Sequence, residues 1–214
     1  MKAVIVAHGD ALPPDRAHAA GADLLVAADG GALLCSRWDL MPALVVGDLD
    51  SLGAERAEEL ARAGVRVVAY PADKDESDTE LAVRVALEAG ADEIVLVAAL
   101  GGPRLDHELA NILLVADPLL AGHIRAVRGD TTVGAVHTGA SHRIAGGPGD
   151  TVTLLPVGDA SGVVTDGLRY PLLGEALRAG AARGLSNVVE RAGATVALAQ
   201  GALIVIEIAR GGMS

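Results

Sequence analysis

Short runs of aliphatic residues alternate with amphipathic segments through the first 130 residues of the chain. The runs are continuous and rich in Val, Ile and Leu, which is typical of strands covered on both faces of a parallel sheet. The predicted strands are Ala3–Ala7, Leu24–Ala28, Ala43–Val46, Val65–Ala69, Ile94–Ala98 and Ile124–Val127. The predicted helices between them are Gly31–Trp38, Ala54–Ala63, Ser77–Ala89 and His107–Leu120. This alternation predicts an α/β fold, an open and mostly parallel sheet flanked by helices.

A capping-box pattern marks the start of the third predicted helix. Ser77 is a good N-cap residue, and Glu80 follows three positions later, where its side chain reaches back to the N-cap backbone. Gly90 follows the helical pattern and predicts its end.

The pattern changes near Arg128–Thr132, where Gly and Thr become frequent and the apolar runs shorten. Turn sequences separate these runs, which predicts a small antiparallel all-β domain and a domain division at 1–130 and 131–214. We expect Thr195–Ile208 to form a hairpin and Gly211–Ser214 to be a frayed tail. The predicted strands of this half are Val133–His137, Val152–Leu155, Gly162–Val164, Val188–Val189, Thr195–Leu198 and Leu203–Ile208.

Composition excludes several classes of function. The net charge of −11 argues against binding nucleic acid through its phosphates, and only three aromatic residues argue against a base-stacking surface. The single cysteine, Cys35, has no internal disulfide partner, which favours a reducing compartment. The apolar runs are too short for a signal peptide or a membrane span. We therefore expect a cytoplasmic protein.

Acidic residues concentrate where the predicted strands end. If the strands are parallel, these clusters share the sheet edge beyond the carboxyl ends, where open α/β sheets bind ligands. The clusters are Asp29-Gly30-Gly31, Gly47-Asp48-Leu49-Asp50-Ser51, Asp73-Lys74-Asp75-Glu76-Ser77-Asp78 and Gly101-Gly102-Pro103-Arg104-Leu105-Asp106-His107.

So many carboxylates at one edge repel one another unless a cation offsets their charge. Mg²⁺ does so, typically with one or two carboxylates and phosphate oxygens of the substrate, and Lys74 and Arg104 are placed to hold phosphate. The pattern predicts metal-assisted chemistry on a polyphosphate. The chain has neither a P-loop nor a dinucleotide-binding glycine motif.

Each cluster also has a structural interpretation. Asp29-Gly30 is a common turn, and Asp48-Leu49-Asp50 is able to begin a helix capped by Ser51. Acids in a first helical turn, such as Asp78, are favoured by the helix dipole alone. Arg104 and Asp106 are able to form a structural ion pair. The coincidence of all the clusters on one edge favours the functional interpretation.

These motifs resemble those of the thiamine pyrophosphokinase family. The resemblance covers nearly the whole chain, through the acidic motifs and two segments of the second half, Gly167–Leu172 and Arg183–Asn187. It implies a catalytic α/β domain, a C-terminal β-sandwich domain that binds thiamine, and a homodimer. The implied reaction transfers a diphosphate from ATP to the hydroxyethyl group of thiamine and releases AMP.

The resemblance also implies residue roles. Asp48 and Asp50 hold Mg²⁺ against the ATP phosphates, and Asp75 and Asp78 belong to the same acidic site. Lys74 contacts phosphate. The remaining implied substrate residues are Asp29, Arg104 and Asp106 for the nucleotide and polar shell, with Tyr170, Ser186 and Asn187 on the thiamine side. Asp50 and Asp78 both remain candidates for the general base.

Two other functions stay open. A diphosphokinase that acts on a hydroxymethyl pterin resembles the same catalytic domain, and a nucleotide or thiamine sensor is able to use the same scaffold. The acceptor rings need a wall, yet Ala197–Ile206 contains no aromatic residue. Tyr170, another of the three aromatics or aliphatic side chains must supply that wall. We expect Cys35 to be a packed side chain and His8 to be a surface or locally bonded residue.

Overall fold

The structure, a computed structural model, describes residues 1–211. The chain forms two compact units. The first is Met1–Asn111 with Ala126–Gly129, and the second is Ile112–Arg125 with the chain from Asp130 onward. Of the predicted frayed tail, residues 212–214 lie outside the described part.

The first unit is built on a mostly parallel sheet, as predicted. Its strands run in the order β6-β5-β1-β2-β3-β4, and β5, β1, β2, β3 and β4 pair in parallel. The central strands are buried, which explains why their sequences are continuously apolar. The strands are β1 Lys2–Val6, β2 Leu24–Ala28, β3 Leu44–Gly47, β4 Arg66–Ala69, β5 Glu93–Val97 and β6 Ile124–Arg128.

The helices follow the predicted alternation, with two differences. The short α1 was not predicted, because its only apolar residues are alanines. The last helix ends at Val115 rather than Leu120, since Pro118 cannot continue an α-helix and instead begins a 3₁₀ turn capped by Asp117. The helices are α1 Asp15–Ala20, α2 Gly31–Arg37, α3 Ala54–Arg62, α4 Asp78–Glu88 and α5 Leu105–Val115.

The predicted capping box of α4 is confirmed. The Ser77 hydroxyl accepts a hydrogen bond from the Glu80 amide at 3.2 Å, and the Ser77 amide donates to Glu80 Oε2 at 2.7 Å. The cap fixes where the helix begins and therefore where Asp78, its first residue, is placed.

Within residues 1–211, every α-helix is too short to cross a bilayer. The predicted packing role of Cys35 is confirmed. Cys35 is fully buried in the core of the first unit, and burial raises the pKa of its thiol to about 12.

The second unit contains two antiparallel arrays of strands, ordered β12-β9-β14-β7 and β11-β10-β13-β8. Aliphatic side chains from both arrays form one buried core, which confirms the sandwich-like architecture. The strands are β7 Thr131–His137, β8 Ser141–Arg143, β9 Thr151–Pro156, β10 Ala160–Asp166, β11 Leu173–Leu177, β12 Asn187–Val188, β13 Thr195–Ala197 and β14 Ala202–Ile208.

The predicted hairpin at Thr195–Ile208 is wrong. β13 pairs with β10 and β8, whereas β14 pairs with β7 and β9, so the chain changes sheets between these two strands. Gly201 lies at the crossing with φ +102°, and a Cβ there would come within 2.6 Å of the Asp159 carbonyl oxygen. A glycine turn between two apolar runs is equally suited to a hairpin or to this crossing.

Candidate active site

A cleft of about 520 Å³ opens within the first unit, at the carboxyl ends of the parallel strands. Its wall includes the loops that follow β1, β2, β3 and β5 and the start of α4. Five acidic residues line it together: Asp29, Asp48, Asp50, Asp78 and Glu108. The predicted sheet edge therefore carries an acidic cleft.

Asp29 anchors the loop that follows β3. Its side chain is only 4% exposed, and its two oxygens accept hydrogen bonds from the backbone amides of Ser51 and Leu52, at 3.1 and 3.2 Å. Its backbone is left-handed, with φ +41°, which is uncommon for a residue other than glycine. Asp29 thus ties the end of β2 to the loop that carries Asp48 and Asp50.

Asp48, Leu49 and Asp50 form a tight turn instead of a helix start. Asp48 Oδ1 accepts a hydrogen bond from the Asp50 amide at 3.1 Å, Leu49 is left-handed with φ +65°, and α3 begins only at Ala54. The interpretation of this motif as a helix start capped by Ser51 is therefore wrong.

Three of the carboxylates form a set with the chemistry of a divalent-cation site. Asp29, Asp48 and Asp50 each offer an oxygen, and these oxygens all lie within 4.8 Å of one another. Asp29 is buried, Asp48 is half-buried and Asp50 is exposed, so the set faces the open cleft. Hard oxygen donors with an open side suit Mg²⁺.

Lys74 lies against this carboxylate set. Its ammonium nitrogen is 3.0 Å from Asp78 Oδ1 and 3.5 Å from Asp48 Oδ2. Burial lowers the pKa of Lys74, but its bonds to Asp78 and Asp48 outweigh burial and keep that pKa above its usual value. Burial also raises the pKa of the Asp78 carboxyl, with Asp48 and Asp29 adding to it, despite the opposing effect of Lys74.

The structure places Asp75 differently from the other acids of its motif. Its side chain is exposed, and the set of closely spaced oxygens contains Asp29 in addition to Asp48 and Asp50. A metal-ligating role for Asp75 stays a prediction, and Asp29 joins the candidate ligands.

Arg104 and Asp106 form an ion pair at the start of α5. Arg104 Nε and Nη2 donate to the two Asp106 oxygens at 2.9 and 2.6 Å, and both side chains are exposed. The Arg104 hydrogen bond holds the pKa of the Asp106 carboxyl well below its usual range. Arg104 lines the cleft, and so does His107.

His8 is a cleft residue that the sequence interpretation missed. It follows β1, its side chain is exposed in the cleft wall, and its ring lies over Gly30. A Cβ at Gly30 would come within 2.3 Å of His8 Nδ1, so the glycine is what makes room for the imidazole. Its position directly after the first parallel strand could have identified it, because the candidate residues at the other strand ends were identified by the same position.

The predicted thiamine-side residues lie in the second unit. Asn187 is buried and holds the backbone of Tyr170 from both sides: its Nδ2 donates to the Tyr170 carbonyl at 2.7 Å, and its Oδ1 accepts from the Tyr170 amide at 3.0 Å. The Tyr170 side chain is 55% exposed. Ser186 is exposed and left-handed, with φ +53°, and its amide donates to Thr153 Oγ1.

The other two aromatic residues have structural partners in the first unit. Trp38 packs against the hydrophobic core, and the Tyr70 ring lies 5.7 Å from the Arg84 guanidinium carbon. Tyr170 is therefore the aromatic side chain with the most exposed surface for a ligand ring.

Comparison with known protein families gives two matches in chain order. Residues 17–126 match the family model described as thiamin pyrophosphokinase, catalytic domain. Residues 141–203 match the model described as thiamin pyrophosphokinase, vitamin B1 binding domain.

Individual relatives agree with these matches. The chain is 33% identical over 92 residues to the thiamine pyrophosphokinase of Bacillus subtilis, an alignment that covers 43% of this chain and 42% of that protein. The crystal structure of thiamin pyrophosphokinase from Geobacillus thermodenitrificans superposes with a TM-score of 0.81 at 27% identity, covering 100% of both chains. Thiamin pyrophosphokinase from Candida albicans has the same fold, with a TM-score of 0.80 at 14% identity over 97% of this chain and 88% of that one.

Proposed function

Because the chain belongs to the thiamin pyrophosphokinase family, we propose that it transfers a diphosphate group from ATP to the hydroxyethyl group of thiamine, giving thiamine diphosphate and AMP. The observation that carries this proposal is the acidic cleft at the carboxyl ends of the strands, with Asp29, Asp48 and Asp50 oxygens within 4.8 Å of one another. Such a set serves a polyphosphate substrate through a cation.

Asp48 and Asp50 are the proposed ligands of Mg²⁺, with Asp29 holding their loop in place and Asp75 a further predicted ligand. When bound, Mg²⁺ neutralises charge on the ATP phosphates and orients them. We assign both aspartates to one metal ion because the left-handed turn at Leu49 directs both side chains into one cleft.

The remaining charged residues of the cleft act on the phosphates and on the attacking alcohol. Lys74 and Arg104 supply donors for phosphate oxygens. The thiamine alcohol oxygen attacks the β-phosphorus, the bond from that phosphorus to the α–β bridging oxygen breaks, and AMP leaves. Asp78 is the favoured acceptor of the alcohol proton, because burial raises the pKa of its carboxyl and so makes it a stronger base, whereas Asp50 is exposed.

Tyr170 and Ser186 are the proposed contacts of thiamine in the second unit. The Tyr170 ring offers an exposed surface for the acceptor rings, and the Ser186 hydroxyl is exposed beside buried Asn187. Asn187 keeps the Tyr170 backbone in place with two hydrogen bonds, so its part is to position the ring.

We also propose a homodimer. On the four-stranded array of the second unit, Val164 of β10 is the cross-strand partner of Leu173 on one side and of Ala197 on the other. Val164 and Leu173 are 46% and 81% exposed, so they form an uncovered apolar row. A second copy of the chain is the partner that we propose to cover this apolar row, since a two-fold interface brings the same surface of both copies together.

The acceptor distinguishes this proposal from its nearest alternative, a diphosphokinase acting on a hydroxymethyl pterin. The match of residues 141–203 to a vitamin B1 binding domain favours thiamine. A non-catalytic sensor is disfavoured, since sensing does not require a cluster of carboxylates with cation-binding chemistry.

The test is turnover of purified protein with ATP, Mg²⁺ and either thiamine or a hydroxymethyl pterin. We expect thiamine-dependent AMP formation that falls at least a hundredfold in Asp48→Asn and Asp50→Asn, in line with the loss of electrostatic stabilisation at a reacting phosphate. Asp39→Asn, an exposed aspartate outside the cleft, should keep full activity. Preference for the pterin, or equal activity of Asp48→Asn, would contradict the proposal.

A further inference from the structure

The Lys74 ammonium lies between Asp48 and Asp78, where it would compete with a metal ion for Asp48. It contacts Asp48 Oδ2 and Asp78 Oδ1 at 3.5 and 3.0 Å, and the three side chains are only 15%, 17% and 26% exposed. A cation is therefore already held between two carboxylates of the cleft, by the chain itself.

Electrostatics explains why an internal cation is stable there. Asp29, Asp48 and Asp50 bring oxygens within 4.8 Å of one another, and Asp78 is coupled to Asp48 and Asp29 as well. Like charges at this spacing destabilise the fold unless an opposite charge lies among them. The other nearby basic group, Arg104, spends two of its donors on Asp106.

Both carboxylate oxygens of Asp48 already have partners within the chain. Its Oδ1 already accepts the Asp50 amide at 3.1 Å, and its Oδ2 is the atom that faces Lys74. A divalent ion that binds Asp48 and Asp50 competes with the ammonium for Asp48. Once released from Asp48, the Lys74 ammonium keeps its contact with Asp78 Oδ1 and has its other N–H donors available for phosphate oxygens.

We propose that Lys74 is an exchangeable internal counter-ion: it neutralises Asp48 and Asp78 in the metal-free cleft and is released from Asp48 when a divalent cation binds. This inference rests on the proposed metal site, and it concerns the order of binding. The metal alone prepares the lysine for the polyphosphate, so the empty cleft does not present a free ammonium to nucleotides that arrive without metal.

The chain offers an internal control, because Lys2 is its only other lysine. Amine-reactive labelling of the wild-type protein, read by peptide mass spectrometry, therefore reports on two side chains at once. We expect Mg²⁺ without nucleotide to raise the labelling rate of Lys74 about threefold or more, as partial release from an ion pair exposes the amine. The rate at Lys2 should not change, and matched NaCl should have no effect on either lysine.

A calorimetric titration with Mg²⁺ alone gives the second readout. Lys74→Met removes the competing cation, so we expect it to bind Mg²⁺ about tenfold more tightly than wild type, the equivalent of about one partly buried ion pair. Lys2→Met is the matched control and should bind as wild type does.

Unchanged Lys74 labelling at Mg²⁺ concentrations that saturate the calorimetric signal would overturn the inference, and so would weaker or absent Mg²⁺ binding in Lys74→Met. Failure of the proposed function is distinguishable, since neither measurement contains ATP or thiamine. If the protein shows the exchange but makes no thiamine diphosphate, the counter-ion inference stands and the proposed reaction fails.

Discussion

Asp29 shows how one buried carboxylate organises the acidic cleft. It receives the Ser51 and Leu52 amides, and in doing so it fixes the loop that presents Asp48 and Asp50. Its own charge adds to the repulsion among the acids, so the two amide hydrogen bonds are what offset the burial of its carboxylate. Asp29 therefore both holds the loop in place and adds negative charge to the cleft.

Replacing Asp29 by Asn should destabilise the protein by about 1–2 kcal/mol, because the amide group turns one acceptor oxygen into a donor that faces a backbone N–H. Urea unfolding of the metal-free protein measures this loss. Asp39→Asn is the matched control, since Asp39 is also left-handed, with φ +56°, but is exposed. Equal midpoints for the two variants would show that Asp29 does not anchor the loop.

Asp78 should make stability depend on pH. Its raised pKa means that the folded state binds a proton more readily than the unfolded state. Stability therefore falls as pH rises from the unfolded value, about 3.9, through the raised folded pKa, and the penalty is complete above it. Asp78→Asn removes this penalty.

We expect Asp78→Asn to melt higher than wild type at pH 7 without metal, by roughly 2–4 °C for a gain of about 1 kcal/mol in a chain of this size. The difference should shrink towards pH 4. Calorimetric melting across this range measures it, with exposed Asp75→Asn as the control that stays close to wild type throughout. A variant that melts lower at pH 7 would show that the Lys74 pair outweighs the burial of Asp78.

The candidate residues at the strand ends were predictable, because the carboxyl ends of parallel strands share the edge at which open α/β sheets bind ligands. Asp48, Asp50 and Asp78 were found in this way and do line one cleft. The bonding of Asp29 was not predictable, since it depends on a loop that returns to Asp29 from 22 residues further along the chain. His8 was missed because a single histidine carries no spacing pattern.

At the scale of elements, local sequence determined helix starts better than strand partners. The capping box at Ser77 placed the first turn of α4 correctly, since its bonds join residues three apart. The predicted hairpin at Thr195–Ile208 was wrong. Whether the chain continues in one sheet or crosses to the other depends on side chains that are distant in the sequence.

The Ser77 cap should contribute to the stability of α4. Ser77→Ala should lower the free energy of unfolding by about 1 kcal/mol, because it leaves the Glu80 amide without its acceptor. Ser77→Asp keeps an acceptor at the N-cap and should retain most of the stability. The urea midpoints of the two variants measure this difference. An equal loss of stability in both would mean that the hydroxyl does not act through the cap.

At the scale of the whole molecule, the apolar row of the second unit predicts the assembly state. Leu173→Glu places a charge on the outer face of the four-stranded array and should convert a dimer into a monomer in light scattering coupled to size exclusion. Leu119→Glu is the control, because Leu119 is 89% exposed on a 3₁₀ turn. A monomeric wild type, or a dimer that survives in Leu173→Glu, would exclude this face as the interface.

The change from a mostly parallel α/β sheet to an antiparallel all-β region was predictable from the change in pattern near Thr131. Trp38 and Tyr70 have structural partners in the first unit, which leaves Tyr170 as the aromatic side chain proposed to contact the acceptor rings. Diphosphoryl transfer itself does not need aromatic side chains.

Transfer of the diphosphate as one unit can be followed by ³¹P NMR of a reaction that contains ATP, Mg²⁺ and thiamine. We predict that AMP and thiamine diphosphate accumulate in equal amounts, without ADP, and that neither forms when thiamine is omitted. Accumulation of ADP with thiamine monophosphate, or AMP formed without any phosphorylated thiamine, would rule out diphosphate transfer to thiamine.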